Sequence, residues 1–259
     1  MKCVILAGGK GSRIAEESSV RPKPMIEIGG RPILWHIMQL YAAFGVREFV
    51  VCLGYKGYLV KEYFANYFLH QADVTFDMAA NRVEYHDCRS EPWKVTLVDT
   101  GEDTMTGGRL RRVRRYLEPG ATFCMTYGDG LADIDIGEEI ACHVRSGVAA
   151  TVACVRPPAR FGRIVSRDSK VVSFEEKPTS DGGLINGGFF VLEPRVLDLI
   201  AGDETVWERE PMERLAATGE LGSWVHQGFW QPMDTLRDKL TLNALWDQGA
   251  APWKKRWSP

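Results

Sequence analysis

The stretch VILAGGKGSR, residues 4–13, decides how this chain folds. Its short apolar start predicts a buried strand. Three glycines follow within four residues, and a serine and an arginine come directly after the last of them. Glycine allows positive φ and close approach, so such a loop can turn its backbone N–H groups toward an anionic oxygen, and a guanidinium adds donors suited to phosphate. The stretch therefore predicts a strand whose end binds phosphate.

A lysine held between two prolines follows this loop. Lys23 lies between Pro22 and Pro24. Proline restricts its own backbone and that of the residue before it, so the ammonium is presented from a stiff segment. With Arg13 and the glycine loop, Lys23 predicts a polyphosphate site near the end of the first strand.

Two better-known glycine loops do not match. A Walker A loop needs a lysine and a hydroxyl residue after its last glycine, whereas Ser12 and Arg13 follow Gly11 here. A dinucleotide fingerprint needs a third glycine where this chain has Ile14, and a helix that the prolines around Lys23 would interrupt. A turn made only for packing is the structural alternative, and the two nearby cations argue against it.

Size and composition limit the class of protein. The chain has 259 residues, of which 45% are hydrophobic and 25% charged, which is typical of a soluble globular α/β protein. A net charge of −2 argues against a nucleic-acid partner. No stretch has the length of a membrane span, and the amino terminus lacks the pattern of a signal peptide, so we expect a cytoplasmic protein without a membrane partner. The six cysteines include no C-x-x-C pair, so we expect reduced thiols and no zinc site.

Strand and helix patterns alternate through the first half of the chain. This order predicts an α/β, Rossmann-like, three-layer fold: a mostly parallel sheet with helices on both faces, and smaller β additions in the second half. The predicted strands are Lys2–Leu6, Glu48–Leu53, Val74–Met78, Arg82–Tyr85, Val95–Leu97, Thr122–Tyr127, Ala149–Val155, Arg163–Ser166, Val171–Glu175, Leu184–Leu192 and Leu221–His226. The predicted helices are Pro32–Phe44, Tyr58–Phe68, Gly107–Leu117, Ile136–Ser146, Val196–Ile200, Met212–Thr218 and Thr235–Trp246.

No linker divides the chain, so we predict a single domain, residues 1–259. Its nucleotide-binding half would span about 1–135 and its second half about 136–246, followed by a tail, 247–259, that docks on the protein or on a neighbouring subunit.

Two aspartates are candidate metal ligands. Asp129 follows a predicted strand between two glycines, and ligands of parallel sheets bind beyond the carboxyl ends of strands. A carboxylate facing phosphates needs a cation, and Mg²⁺ bridges phosphates through one or two carboxylates. Asp234 is its candidate partner. The structural alternatives are a turn for Asp129 and a helix N-cap for Asp234.

Two further segments carry candidate chemistry. Lys177, held extended before Pro178, can reach phosphate, although a surface charge cluster is the common meaning of E-E-K-P. Asn186 precedes two glycines and can hydrogen bond with hydroxyl groups, although alone it indicates a turn. The basic helix around Arg109, Arg111, Arg112, Arg114 and Arg115 lacks aromatic platforms, so it predicts a solvated or interface face rather than a nucleic-acid site; Arg109 could also reach a nucleotide.

The loop pattern L-A-G-G-x-G-[ST]-R followed by P-K-P resembles the signature of the nucleotidylyltransferases that act on sugar 1-phosphates. Ser12, Ile14 and Arg21 are minor departures from the usual residues. The resemblance covers nearly the whole chain and is strongest to the glucose-1-phosphate cytidylyltransferase branch. The segments most similar to that branch are 33–38, 62–68, 98–101, 105–109, 126–130 and 228–235.

The resemblance implies a nucleotidyltransferase fold and a reaction. The expected enzyme transfers a cytidylyl group from CTP to glucose 1-phosphate with Mg²⁺, in a homo-oligomer, a hexamer by resemblance. Its product, CDP-glucose, would feed dideoxysugar synthesis for lipopolysaccharide. By motif, Arg13 and Lys23 are the catalytic candidates, and Asp129 and Asp234 the metal ligands. The nucleotide would contact Leu6, Ala7, Gly8, Gly9, Gly11, Ser12, Arg13, Lys23, Thr104, Arg109 and Gly128, and the sugar phosphate Glu176, Lys177 and Asn186.

Physical reasoning alone supports phosphoryl chemistry on a nucleotide without choosing the base. A uridylyl- or thymidylyltransferase is the alternative within the class, and a non-catalytic sensor of nucleotide sugars the alternative outside it. The charged set argues against a sensor, because a sensor needs no groups that stabilise developing charge.

Overall fold

The computed structural model describes residues 1–157, 163–167, 170–175 and 183–257. Its strands are β1 (Lys2–Leu6), β2 (Glu27–Ile28), β3 (Arg31–Pro32), β4 (Glu48–Leu53), β5 (Asp73–Asp77), β6 (Arg82–His86), β7 (Lys94–Asp99), β8 (Phe123–Tyr127), β9 (Gly130–Ala132), β10 (Ala150–Val155), β11 (Arg163–Arg167), β12 (Lys170–Glu175), β13 (Ile185–Leu192), β14 (Leu221–Val225) and β15 (Trp230–Pro232). Its α-helices are α1 (Ala15–Ser18), α2 (Ile33–Ala42), α3 (Gly57–Ala65), α4 (Thr106–Arg112), α5 (Ile136–Ser146), α6 (Glu210–Ala217) and α7 (Leu236–Asp247).

A seven-stranded sheet forms the centre, in the order β14-β10-β13-β8-β1-β4-β7. β1 pairs in parallel with β4 and β8, β4 with β7, and β10 with β14. Strand β13 runs antiparallel to both of its neighbours, β8 and β10. The predicted mostly parallel sheet is confirmed.

The two faces of the sheet bury different layers, because successive side chains of a strand point to opposite sides. Cys3 and Ile5 pack with residues of α2, α5 and α7, whereas Val4 and Leu6 pack with residues of α4 and α6. The predicted three-layer α/β architecture is therefore confirmed. The strands predicted at 163–166 and 171–175 are also present, as β11 and β12, which pair antiparallel.

Three helix predictions were wrong in detail. The segment 107–117 leaves α geometry at Val113 (φ −91°, ψ −1°) and continues as a 3₁₀ turn, Arg114–Tyr116. The segment 58–68 likewise ends at Ala65, before a 3₁₀ turn at Phe68–His70. The segment 196–200 belongs to a 3₁₀ helix, Pro194–Leu199. Short runs of one or two turns adopt the tighter 3₁₀ form readily, and the apolar pattern does not distinguish it from an α-helix.

The reversed direction of β13 shapes the site. The carboxyl ends of β1 and β8 lie at one edge of the sheet, because these strands are parallel. The register pairs Phe189 of β13 with Thr126 of β8, so β13 starts at that same edge. Asn186, near the beginning of β13, therefore lies at the same edge of the sheet as the glycine loop.

Candidate active site

The glycine loop leaves β1 at Leu6 and continues into a 3₁₀ turn, Ser12–Ile14. Gly11 has φ +64°, a conformation that side chains disfavour, and Ser18 donates a hydrogen bond to its carbonyl (3.0 Å). Among the described residues, the N–H groups of Gly9 and Gly11 have no hydrogen-bond partner. The sequence predicts that N–H groups of this loop bind an anion, and these two are not engaged in other hydrogen bonds of the described residues.

Arg109 connects this loop by hydrogen bonds to the ends of β4 and β7. Its guanidinium donates to the carbonyls of Gly8 (3.2 Å), Leu53 (3.0 Å) and Gly101 (2.7 Å) and to the hydroxyl of Thr100 (2.9 Å). A Cβ at Gly8 would lie 2.1 Å from this guanidinium, which requires glycine there. Burial lowers the pKa of Arg109. The side chain lines the cleft, but its terminal nitrogens donate to backbone carbonyls and to the Thr100 hydroxyl. They do not face an open position for a phosphate.

The rest of the basic helix has ordinary surface roles. Arg112 donates to Asp203 (2.5 and 2.9 Å), and Arg114 donates to Asp198 (2.6 Å). These exposed ion pairs agree with the predicted solvated face.

Lys23 lies at the centre of the charged groups. Its ammonium donates to Asp129 Oδ2 and to Asp234 Oδ1, each at 2.7 Å, and only 10% of its side chain is exposed. Arg13 donates to the other oxygen of Asp234 at 2.6 Å, and its side chain is largely exposed. The structure thus brings together all four predicted catalytic and metal-binding residues.

Asp234 is not the helix N-cap that its sequence position suggested as an alternative. The residue that caps α7 is Thr235, whose hydroxyl accepts the N–H of Asp238, while the Asp238 carboxylate accepts the N–H of Thr235. This reciprocal capping box gives the N–H groups of Thr235 and Asp238 acceptors at the start of the helix. The Asp234 carboxylate is left to face Lys23 and Arg13.

A short antiparallel ribbon brings the two aspartates together. Strands β9 and β15 pair Gly130 with Pro232, and the N–H of Met233 donates to the carbonyl of Asp129 at 2.8 Å. Asp129 directly precedes β9, and Asp234 is the second residue after the end of β15. The ribbon therefore fixes the spacing of two carboxylates that lie far apart in the sequence.

These groups open into a cleft of about 740 Å³. The predicted nucleotide-binding residues at 6–9, 11–13, 23, 104, 109 and 128 all line it, as do Asp129, Asp234 and Asn186. Glu176 and Lys177 lie outside the described residues. The carboxamide oxygen of Asn186 accepts the N–H of Gly188 (2.8 Å), so its amide nitrogen is the group that it can offer to a ligand.

Sequence reasoning missed Tyr127, which lines this cleft, and Glu208, which is bound to it from outside the lining. Tyr127, the last residue of β8, lines it, and its hydroxyl donates to Glu208 at 2.5 Å. Tyr127 stands directly before Gly128 and Asp129, so its place at the strand end could have drawn attention to it. Nothing in the sequence near Glu208 marks it, because its role depends on a contact across 81 positions.

Asp129 and Asp234 could supply only some of the ligands that Mg²⁺ needs. Two of their oxygens already surround one cation, the Lys23 ammonium, at 2.7 Å each. The described residues contain no group of three or more His, Cys, Asp or Glu arranged to hold a metal. Mg²⁺ typically uses one or two carboxylates together with substrate phosphates and water, so two aspartates suit a metal that arrives with a nucleotide.

In the described part of the chain, no helix is long and apolar enough to cross a membrane.

The fold and this charged cleft define a phosphate-handling α/β protein, and comparison with known proteins places it in a family. The family model described as nucleotidyl transferase matches residues 2–220, so the chain belongs to that family. It is 59% identical to glucose-1-phosphate cytidylyltransferase of Salmonella typhimurium, an alignment that covers 98% of this chain and 99% of the relative. It is 45% identical to a probable glucose-1-phosphate cytidylyltransferase of Bacillus subtilis, with coverage of 98% and 99%.

Solved structures agree with the nucleotidyltransferase fold. The crystal structure of HddC from Yersinia pseudotuberculosis aligns with a TM-score of 0.69 and 23% identity, covering 95% of this chain and 99% of that one. An identity this low supports the fold alone.

Proposed function

We propose that this protein transfers a cytidylyl group from CTP to α-D-glucose 1-phosphate, giving CDP-glucose and pyrophosphate. The observation that carries the proposal is the position of Lys23 and Arg13 against Asp129 and Asp234, in one cleft beside the glycine loop. The 59% identity to a glucose-1-phosphate cytidylyltransferase supports the choice of base and sugar.

In the proposed reaction a phosphate oxygen of the sugar phosphate attacks the α-phosphorus of CTP. The new oxygen–phosphorus bond forms as the bond to the β-phosphate oxygen breaks, and pyrophosphate carries away that electron pair. The protein positions the reactants and stabilises the developing charge. The glycine loop and Arg13 hold the β- and γ-phosphates, and Lys23 stabilises charge on the α-phosphate.

Asp129 and Asp234 would hold Mg²⁺, which when bound neutralises phosphate charge. An ammonium and a metal ion cannot occupy the same place between two carboxylates. The two oxygens that bind the Lys23 ammonium at 2.7 Å would then face the metal, which would leave the ammonium to stabilise charge on the α-phosphate.

Pyrophosphate release tests the proposal, measured for four NTPs crossed with the 1-phosphates of glucose, galactose and mannose. CTP with glucose 1-phosphate should give the highest kcat/KM, and mass spectrometry should identify CDP-glucose. A preference for UTP or dTTP would identify a different nucleotidyltransferase. Release with none of these pairs would support a non-catalytic sensor instead.

Lys177, which lies outside the described residues, is proposed to bind the phosphate of glucose 1-phosphate. Replacing it with alanine should raise KM for glucose 1-phosphate by about tenfold or more, since a charged hydrogen bond is worth about 1.5–3 kcal/mol. The affinity for CTP, measured by calorimetry without sugar, should stay close to that of wild type. A loss of CTP affinity as large as the rise in KM for glucose 1-phosphate would show that Lys177 binds the nucleotide instead. Glu176 and Asn186 would then no longer be assigned to the sugar phosphate.

A further inference from the structure

Tyr127 presents its ring to the cleft from the end of β8, on the side toward β13. The ring contacts the backbone of Gly188, which has φ +83°. A Cβ at position 188 would lie 2.6 Å from Cδ2 of the ring. Glycine at this position therefore lets the ring lie directly against β13.

A hydrogen-bonded chain behind the cleft holds the hydroxyl of Tyr127. The hydroxyl donates to Glu208 Oε1 at 2.5 Å, and Glu208 Oε2 accepts the hydroxyl of Thr106 at 2.6 Å. Thr106 in turn accepts the N–H of Trp207 at 2.9 Å. Both ends of the Glu208 carboxylate are thus bound, which holds the ring in one orientation.

Trp230 forms a second aromatic wall next to the same turn. Its indole N–H donates to the carbonyl of Gly187 at 2.7 Å, and its side chain lines the same cleft. Asn186 lies beside the two rings, and its amide nitrogen is 3.4 Å from the hydroxyl of Tyr127. Two tethered aromatic rings and one amide donor therefore meet at the start of β13.

We propose that Tyr127 and Trp230 are the walls that bind the hexose of the sugar phosphate, and that Glu208 is a positioning residue that orients Tyr127. The inference rests on the proposed function. A pyranose has apolar C–H faces and a polar rim, which match aromatic faces bordered by an amide donor. The sheet order β13-β8-β1 places Tyr127 between β13 and the strand that leads into the glycine loop, and the bond from Trp230 to Gly187 holds the second ring at β13. Because the rings are already fixed, little side-chain freedom is lost when the sugar binds.

The test separates binding of the hexose from binding of the nucleotide. Calorimetry gives the affinities for CDP and for CDP-glucose, and their ratio reports the contribution of the glucosyl group. Steady-state kinetics gives KM for glucose 1-phosphate and for CTP. The variants are Tyr127→Phe, Glu208→Gln, their double variant and Trp230→Phe. Glu193→Gln is the matched control, because this half-buried carboxylate accepts a hydroxyl bond from Thr122 (2.6 Å) at the far end of β13.

Tyr127→Phe and Glu208→Gln should each raise KM for glucose 1-phosphate by about 3- to 30-fold and lower the CDP-glucose to CDP affinity ratio by a similar factor. KM for CTP and the affinity for CDP should stay unchanged, as should every parameter of the control. The double variant should lose no more than the sum of the two single variants and less if they are coupled, because both change the same contact between Tyr127 and residue 208. Should Glu208→Gln fail to fold, Tyr127→Phe breaks that bond from the other side and keeps the ring.

Other outcomes would overturn the inference. Unchanged KM values, or an equal loss of affinity for CDP and CDP-glucose, would show that Glu208 and Tyr127 do not act on the hexose. A wild-type protein that neither forms CDP-glucose nor binds it more tightly than CDP would overturn the proposed function as well. A normal wild type with unaffected variants would overturn only the role given to Tyr127 and Glu208.

Discussion

Lys23 carries its charge in a nearly buried position, between two carboxylates that it neutralises. Removing one partner of such a group leaves the other charges uncompensated and costs about 3–5 kcal/mol. The same carboxylates are the proposed metal ligands. The proposal therefore requires Lys23 and Mg²⁺ to compete for these carboxylates, and that competition can be measured without turnover.

Lys23→Met should lower kcat on the order of 10²–10³-fold, by analogy with the loss of one donor to a developing oxyanion. It should also make the protein respond more strongly to the metal, because Asp129 and Asp234 lose their ammonium. The measurement is the rise in Tm with Mg²⁺ in the absence of CTP, which should be larger for the variant than for wild type. Lys255→Met, which removes an exposed lysine bound to Asp133 (3.1 Å), is the control. Equal rises in Tm for Lys23→Met and wild type would contradict the shared cation position.

Glu139 is a carboxyl group buried on α5 that the reaction does not use. Burial raises its pKa to about 8. The folded state therefore binds a proton that the unfolded chain, with a pKa near 4.5, has already lost. The contribution of Glu139 to the free energy of unfolding is therefore fully present below pH 4.5 and is lost as the pH rises toward 8.

Glu139→Gln should remove this pH dependence. Across the window from about pH 5 to 8, the free energy of unfolding of wild type should fall relative to the variant by up to about 1.4 kcal/mol per pH unit. Urea unfolding of both proteins at several pH values measures the difference. Parallel stability profiles would show that Glu139 is not protonated in the folded protein.

At the scale of the element, the start of α7 separates two tasks between neighbouring residues. Thr235 and Asp238 form the capping box, and Asp234 faces the cleft. The β9–β15 ribbon performs a related task, because its register sets the distance between Asp129 and Asp234. We therefore expect that helix stability and the proposed metal binding can be changed independently at adjacent positions.

Thr235→Ala should cost about 1 kcal/mol of stability through loss of the N-cap, with pyrophosphate release retained. Asp234→Asn should instead abolish most of the response of the rate to Mg²⁺. Thr241→Ala is the control for the first change, because its exposed hydroxyl donates to the carbonyl of Arg237 within the same helix. If Thr235→Ala loses activity under conditions in which it is still fully folded, the N-cap of α7 also sets the geometry of the active site.

At the scale of the whole molecule, the carboxyl-terminal tail completes one face of the core. Trp253 is 2% exposed, stacks near Phe229, and donates its indole N–H to Nδ1 of His36 at 3.3 Å. Burial lowers the pKa of His36 to about 4, so the ring is neutral at pH 7 and can accept this bond. Of the two alternatives predicted for the tail, docking on the protein itself agrees with the buried position of Trp253. The homo-oligomer stays a prediction, which light scattering can measure.

Trp253→Ala should lower the free energy of unfolding by about 3–5 kcal/mol, since it removes a large buried ring. Leu240→Ala, on an exposed position of α7, should change it by less than about 0.5 kcal/mol. Chemical denaturation of both variants measures the difference. Similar stabilities would show that the tail contributes little to the core.

The local pattern of the chain was enough to predict the glycine loop, the two cations and the two aspartates, because each depends on residue type and on position at a strand end. The same reasoning gave the α/β class and most strands, since apolar runs of five or six residues report burial directly. The antiparallel direction of β13 has no such signature, and the 3₁₀ turns differ from α-helices only in local backbone geometry.

Contacts across long separations came from the tertiary structure alone. Lys23 meets Asp234 across 211 positions, Arg109 meets Gly8 across 101, and Tyr127 meets Glu208 across 81. Each partner is an ordinary charged or polar residue in its own stretch of sequence, and its role depends on which strand ends the sheet order places side by side. Local motifs at strand ends therefore predict where phosphate would bind, and the packing of the sheet decides which side chains hold the charged groups of the cleft in place.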